Sequence, residues 1–227
     1  PGMPKSIVFS AVNIDGARSD RTVKRTNVWR FDPRIGREFQ ILDGVYGNDK
    51  EGFFSRGHMT RREDPNWGDK KTAKQADADT FHATNACPQR QSFNGGIWLG
   101  LEDHILDNTD RENIRISVIT GPVFQEDDPV YYDVPIPLEF WKVVVFTNAA
   151  TRQLTAIGYK RSQARLLPTR RRRFVFGDFE DSQVSIAGLS EDTGLDFGAY
   201  VPFDVLEKGD PGLRIALSSV RDLYLSP

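Results

Sequence analysis

Hydrophobic positions along the chain follow one rhythm in its first half and another in its second. Over residues 6–14, Ile7, Val8, Phe9, Ala11 and Val12 alternate loosely with polar positions and predict an opening strand. Residues 16–25 are polar and predict loop, and Pro33 fixes a turn after Trp29. Glycines and aromatics over 44–54 lead into a short strand at 53–58. Residues 68–80 carry Ala, Lys, Gln and Asp with no Pro or Gly after Gly68, which predicts a helix. Residues 85–93 are expected to be irregular, because Pro88 lacks an amide donor. Ser92 or Asn94 then caps a helix reaching about Leu106, with Ile97, Leu101 and Ile105 as its buried stripe.

Beyond that helix the period becomes that of strands. Residues 114–120 alternate, and Gly121-Pro122 is expected to end them. Residues 138–146 and 153–159 form a hairpin joined near 148–151. Residues 184–186 are a short extended piece, and 213–224 suit either a strand or a short helix. The pattern predicts an α+β fold: a central mixed or antiparallel sheet with helices concentrated in the middle of the chain. No internal repeat and no shift in composition divides the sequence, so residues 1–227 read as one domain.

Composition narrows the class. The 227 residues are 38% hydrophobic and 27% charged, which suits a core without disulfides. One cysteine, Cys87, excludes an intrachain disulfide. The longest apolar run, around residues 141–146, is too short to span a bilayer, so no membrane partner is expected. No signal peptide is visible. The Pro1-Gly2-Met3-Pro4 start leaves an upstream signal or domain open, and with it the possibility that the chain is part of a longer protein; the residues specify neither compartment nor oligomeric state. The net charge of −2 means that a polyanion partner would need local positive patches. Residues 18–37, 56–74 and 161–173 supply them.

The candidate chemistry lies in residues 55–104. Hydrolysis of a phosphodiester requires a base for water and positive charge for the phosphoryl and leaving oxygens. His58 suits the first task. Arg56 lies two residues away, on the same face if the segment is a strand, and suits the phosphate. The small Gly57 between them leaves room for a substrate backbone. Asn94 and Glu102 lie eight residues apart on the predicted helix. A neutral oxygen ligand such as Asn94 fits a hydrated Mg²⁺, and Glu102 is placed to hold the ion's waters. His82, His104 and Cys87 match no zinc spacing.

These residues also carry a family resemblance. Arg56-Gly57-His58, Thr84-Asn85, Pro88-Gln89, Asn94-Gly95-Gly96-Ile97-Trp98 and Leu101-Glu102 resemble, in order, the motifs of the DNA/RNA non-specific endonucleases of the ββα-metal superfamily. Thr120-Gly121-Pro122, Phe140-Trp141-Lys142-Val143-Val144 and Thr193-Gly194-Leu195-Asp196-Phe197 resemble its later segments. The match spans roughly residues 20–200.

The resemblance implies a ββα-metal motif with flanking helices and cleavage of DNA and RNA to 5′-phosphate ends. It implies His58 as general base, Asn94 as the one direct ligand of Mg²⁺ (Mn²⁺ substituting), Glu102 orienting a metal-bound water, and Arg56 on the scissile phosphate. Asn85 and Gln89 are supporting residues, and Arg25 and Arg30 compete for one upstream arginine that binds substrate. One position departs: the family's leading Asp is Ser55, which implies a somewhat weaker base at His58. Two other readings stay open on the residues alone. One is a nucleic-acid-binding module with damped catalysis. The other is a nuclease effector silenced by an inhibitor or a fused regulatory domain.

Overall fold

The computed structural model describes residues 7–148, 152–167, 182–206 and 214–216. In chain order the elements are β1 (Ser10–Asp15), β2 (Ser55–His58), α1 (Lys70–Asp79), β3 (Ala86–Gln89), α2 (Gln91–Asn94), α3 (Ile97–Arg111), β4 (Arg115–Val123), β5 (Val130–Tyr131) and β6 (Val134–Pro135). They continue with β7 (Glu139–Thr147), β8 (Leu154–Ser162), β9 (Ser182–Val184), α4 (Ile186–Thr193) and β10 (Arg214–Ala216). A six-stranded sheet runs in the order β1-β4-β7-β8-β9-β10, and every neighbouring pair in it is antiparallel. The fold is therefore α+β with a central antiparallel sheet. Among the described residues, no helix is long and apolar enough to cross a membrane. The basic run at 168–173 and most of 213–224 lie outside the described residues.

Each face of the sheet has its own core. Ile116, Val118, Phe140, Val144 and Ile157 pack under α3 through Trp98, Leu101, Ile105 and Leu106. Trp141, Val143, Val145 and Ala156 point the other way and pack against Ile186, Leu189 and Phe197, on and beyond α4. The period of two along β7 dictates that split. Asp69 caps α1, accepting from the amides of Lys71 and Thr72 at 3.0 Å each.

Several boundaries differ from the expectations: β1 begins at Ser10 and not at residue 6, and α3 runs to Arg111 and not to about Leu106. Four others have a physical reason each. Residues 86–89 form a strand despite Pro88. The Pro88 carbonyl accepts from Gln163 Nε2 at 3.1 Å, so that edge faces away from β2 and the missing donor is not one β2 needs. The single helix capped near Asn94 is two helices, because Gly95-Gly96 interrupts it. A Cβ at Gly96 would lie 2.6 Å from the Ser92 carbonyl oxygen. Asn94 and Glu102 therefore sit on different helices. β4 runs through Gly121-Pro122, because β1 begins opposite Thr120 and leaves that outer edge without a partner strand. Ile186 starts α4 instead of extending β9, with the Ser185 side chain accepting from Gly188 N at 3.1 Å.

Strands β2 and β3 form a separate two-stranded ribbon that shares no ladder with the large sheet. Its placement depends on Gln163, fully buried just beyond β8. Gln163 accepts from Arg90 N at 2.8 Å and donates to the carbonyls of Pro88 at 3.1 Å and Pro137 at 2.8 Å. Gln163→Leu leaves those buried groups without partners at about 1–3 kcal/mol apiece. Urea unfolding is expected to show a loss of at least about 3 kcal/mol.

Candidate active site

His58 ends β2, and the alternation of the strand puts Arg56 on the same face. The opposite face carries Gly57, Cys87 and Gln89 and packs into the core beneath. A Cβ at Gly57 would fall 2.0 Å from Gln89 Oε1. The absent side chain therefore makes room for the buried Gln89 amide, and not for a substrate backbone as expected from sequence. Neither polar atom of that amide has a hydrogen-bond partner.

The His58 ring lies 4.6 Å from Trp29 and 4.9 Å from Phe81, perpendicular to the latter at 90°. Its Nε2 is shut off from solvent without a hydrogen-bond partner. Burial is the main reason its pKa is lowered to about 3, followed by the charges of Arg25 and Arg62; Asp77 opposes them. The ring is thus a neutral imidazole at neutral pH.

The two candidate upstream arginines are separated by their contacts. Arg30 donates to His82 Nε2 at 3.0 Å and to Asp79 at 3.1 Å. His82 Nδ1 lies 2.9 Å from the Asp79 carbonyl oxygen, so both ring nitrogens are engaged. Arg25 instead lies over Phe81, 5.3 Å from the ring centroid, and is close enough to His58 to depress it. Its own pKa is lowered by burial and then by Arg62. Two guanidinium groups therefore crowd the histidine. Arg62 is anchored by Asp77 at 3.0 Å, and Asp77 accepts from Thr26 N at 2.9 Å and Thr26 Oγ1 at 2.7 Å.

Arg56 is braced from behind. Its Nε and Nη2 donate to the Leu42 carbonyl at 3.1 and 2.6 Å, and the guanidinium lies 5.0 Å from the Tyr46 ring centroid. Asn85 is a buried staple: Oδ1 accepts from Thr60 N at 2.9 Å, and Nδ2 donates to Thr60 O at 2.9 Å and Thr80 O at 3.0 Å. It ties the exit of β2 to the end of α1. Ser55 donates to Gln91 Oε1 at 2.7 Å and joins β2 to α2. Strand alternation puts Ser55 on the face away from His58.

Asn94 is the last residue of α2 and is half-buried. No group of three His, Cys, Asp or Glu among the described residues is arranged to hold a metal. A cation here would keep most of its water, which fits a hard ion on one neutral amide oxygen. Glu102 is buried on α3, with Lys142 Nζ 3.0 Å from its Oε1. That contact is an ion pair without hydrogen-bond geometry, since Oε1 counts no hydrogen bond; the ammonium donates to Thr120 Oγ1 at 2.9 Å. Arg61 and Asp64 complete the buried charge cluster, and burial pushes Asp64 up to about 7.

Sequence reasoning missed Arg62, Asp77, Lys142 and Gln163. Lys142 did carry a signal, as one cation in an otherwise apolar strand. Arg62 was hidden in a generally basic stretch.

A two-stranded ribbon followed by a helix, with a histidine on the ribbon and an asparagine at the helix break, matches a nuclease architecture. The chain belongs to the DNA/RNA non-specific endonuclease family, whose model matches residues 5–204. It is 41% identical to the uncharacterised protein y4fB of Sinorhizobium fredii, over 96% of this chain and 34% of that protein. It is 29% identical to the mitochondrial nuclease EXOG of Danio rerio, over 74% of this chain and 48% of that protein. The chain thus spans a third to a half of these curated relatives. The crystal structure of the EndoG/EndoGI complex matches with a TM-score of 0.62 at 21% identity, over 85% of this chain and 78% of that one, which shows a shared fold.

Folded His58 stays neutral down to about pH 3, whereas the unfolded side chain protonates near its ordinary 6.5. The unfolded state binds more protons in that window, so stability falls as pH drops from 6.5 toward 3. His58→Gln is expected to flatten that slope in urea melts, and NMR should show no titration of the wild-type His58 ring above about pH 5. A His58 titration near its ordinary value would contradict the burial argument.

Proposed function

We propose that this chain is a sugar-non-specific endonuclease that hydrolyses phosphodiester bonds of DNA and RNA, leaving 5′-phosphate ends. The observation that carries the reading is the neutral imidazole of His58 beside the cations Arg25 and Arg62, with Nε2 enclosed and Nδ1 left as the nitrogen that can meet a water. Arg62 is paired with Asp77 and Glu63, whereas Arg25 has no ion pair of its own among the described residues and is the guanidinium left for a phosphate. A phosphate there offsets the positive charge that depresses His58 and strengthens the base when substrate is present.

In this mechanism His58 takes the proton from the attacking water. Arg25 holds the phosphoryl oxygens, with Arg30 left to structural work. Arg56 reaches the phosphate from its braced position on Leu42 and Tyr46. Asn94 holds one Mg²⁺, for which Mn²⁺ substitutes. When bound, that ion stabilises charge on the phosphoryl and leaving oxygens. Glu102 orients a water of the ion's hydration shell. Asn85 and Gln89 keep β2 and β3 in place. Because the site reads backbone, no recognition sequence is expected. The EndoG structure is a complex with EndoGI, and a protein that covered Arg25 would silence this chain.

The test is digestion of plasmid DNA and total RNA with Mg²⁺, with EDTA, and with His58→Ala. Cleavage of both substrates is expected with Mg²⁺ alone, falling at least about 100-fold in the variant. A folded wild-type protein that binds both nucleic acids without cutting either would refute the nuclease reading.

A further inference from the structure

A lysine in the middle of a central strand is expensive. Lys142 is 1% exposed, on β7 between β4 and β8. Taking an ammonium out of water costs several kcal/mol even after relaxation, and a buried ion pair seldom stabilises more than well-packed apolar side chains. Directly opposite on the neighbouring strands lie Thr120 and Tyr159. Val144, two residues further along the same face, is apolar and packs in the core. The fold alone therefore does not call for a cation at this position, and its environment must supply the reason.

The ammonium touches α3 at two points and reaches α2 only through a ring stack. It lies 3.0 Å from Glu102 Oε1, about one and a half turns into α3. It also lies 5.2 Å from the Trp98 ring centroid, at the start of α3. Trp98 stacks on Phe93 at 5.6 Å and 28°, and Phe93 directly precedes Asn94. The Thr120 hydroxyl fixes the direction of the ammonium from β4 at 2.9 Å. Arg61 and Asp64 face the same carboxylate from the loop after β2. One buried charge thus bears on the carboxylate and, through two rings, on the residue next to the asparagine.

Resting on the nuclease reading above, we infer that Lys142 is a positioning residue for the metal half of the site. Its ammonium holds the Glu102 carboxylate toward the ion's hydration shell. This role uses the asymmetry of the pair. Lys142 meets the enclosed oxygen Oε1 at 3.0 Å, which leaves Oε2 as the carboxylate oxygen that can meet a water.

The test is Mn²⁺ binding, read from the free-ion EPR signal, on wild type, Lys142→Met, Glu102→Gln, the double variant and Thr120→Val. Met keeps the packing of the stem against Trp98 and removes the charge. Wild type is expected to bind one Mn²⁺, and Lys142→Met to bind it about tenfold more weakly with its thermal unfolding still cooperative. The double variant should bind no more weakly than Glu102→Gln alone, because the two residues act as one unit. Thr120→Val should weaken binding in the same direction by less, and it carries the test if Lys142→Met does not fold. Unchanged affinity in Lys142→Met, or in Thr120→Val if that variant must serve, would overturn the inference and leave the nuclease reading standing. So would losses that multiply in the double variant. A wild-type protein that binds no Mn²⁺ would overturn both.

Discussion

The structure depends on one buried amide side chain. Among the described residues the β2–β3 ribbon and the six-stranded sheet are not joined by a ladder, so their relative placement rests on packing and on bonds outside the strands. Gln163 supplies one such link, satisfying Arg90 N, Pro88 O and Pro137 O from a fully buried position, and the Ser10–Thr60 hydroxyl pair at 2.6 Å supplies another. Because Arg90 immediately precedes α2, the same residue fixes where that helix starts and hence where Asn94 ends it. Ser55 on Gln91 and Asn85 on Thr60 and Thr80 close the ribbon at its two ends. His58 and Asn94 are thus held by side-chain bonds on elements that share a core, which gives a rigid support for side chains that must meet a substrate.

Charge is arranged in two unlike groups. Around His58, burial and the cations of Arg25 and Arg62 keep the imidazole neutral. Around the buried Glu102, Lys142 and Arg61 bring positive charge. In the first group Arg62 is held by Asp77 and Glu63, and Arg25 has no ion pair of its own among the described residues. The second already balances much of its charge internally and has less need of a ligand for neutrality. Asp64, pushed up to about 7 by burial, shows how costly an ionised carboxylate is there without a close partner.

Much of this was legible in the sequence where local rules and tertiary context agree. The run of Ala, Lys, Gln and Asp after Gly68 marked α1, and the hairpin pattern of 138–146 and 153–159 marked β7 and β8. The spacing of the motifs located His58 and Asn94. Legibility failed where context overrode a local rule. Pro88 reads as a breaker until it is known which of its edges faces β2. Gly95-Gly96 reads as tolerable inside a helix until Ser92 O is seen to occupy the space a side chain would need. Gly57 reads as an opening for substrate until Gln89 is seen filling it. The choice between Arg25 and Arg30 was beyond the sequence, because it turns on which one His82 and Asp79 engage. Lys142 and Glu102 meet across 40 residues of chain, a pairing that no local pattern encodes.

The central claim is that His58 supplies the base in a site otherwise complete. It is tested most directly by chemical rescue of His58→Gly, whose cavity between Trp29 and Phe81 is shaped for an imidazole ring. With Mg²⁺ present, the account predicts that added imidazole restores plasmid cleavage in a saturable way, with the 5′-phosphate ends unchanged. A folded His58→Gly variant that cuts at the wild-type rate without imidazole would contradict it.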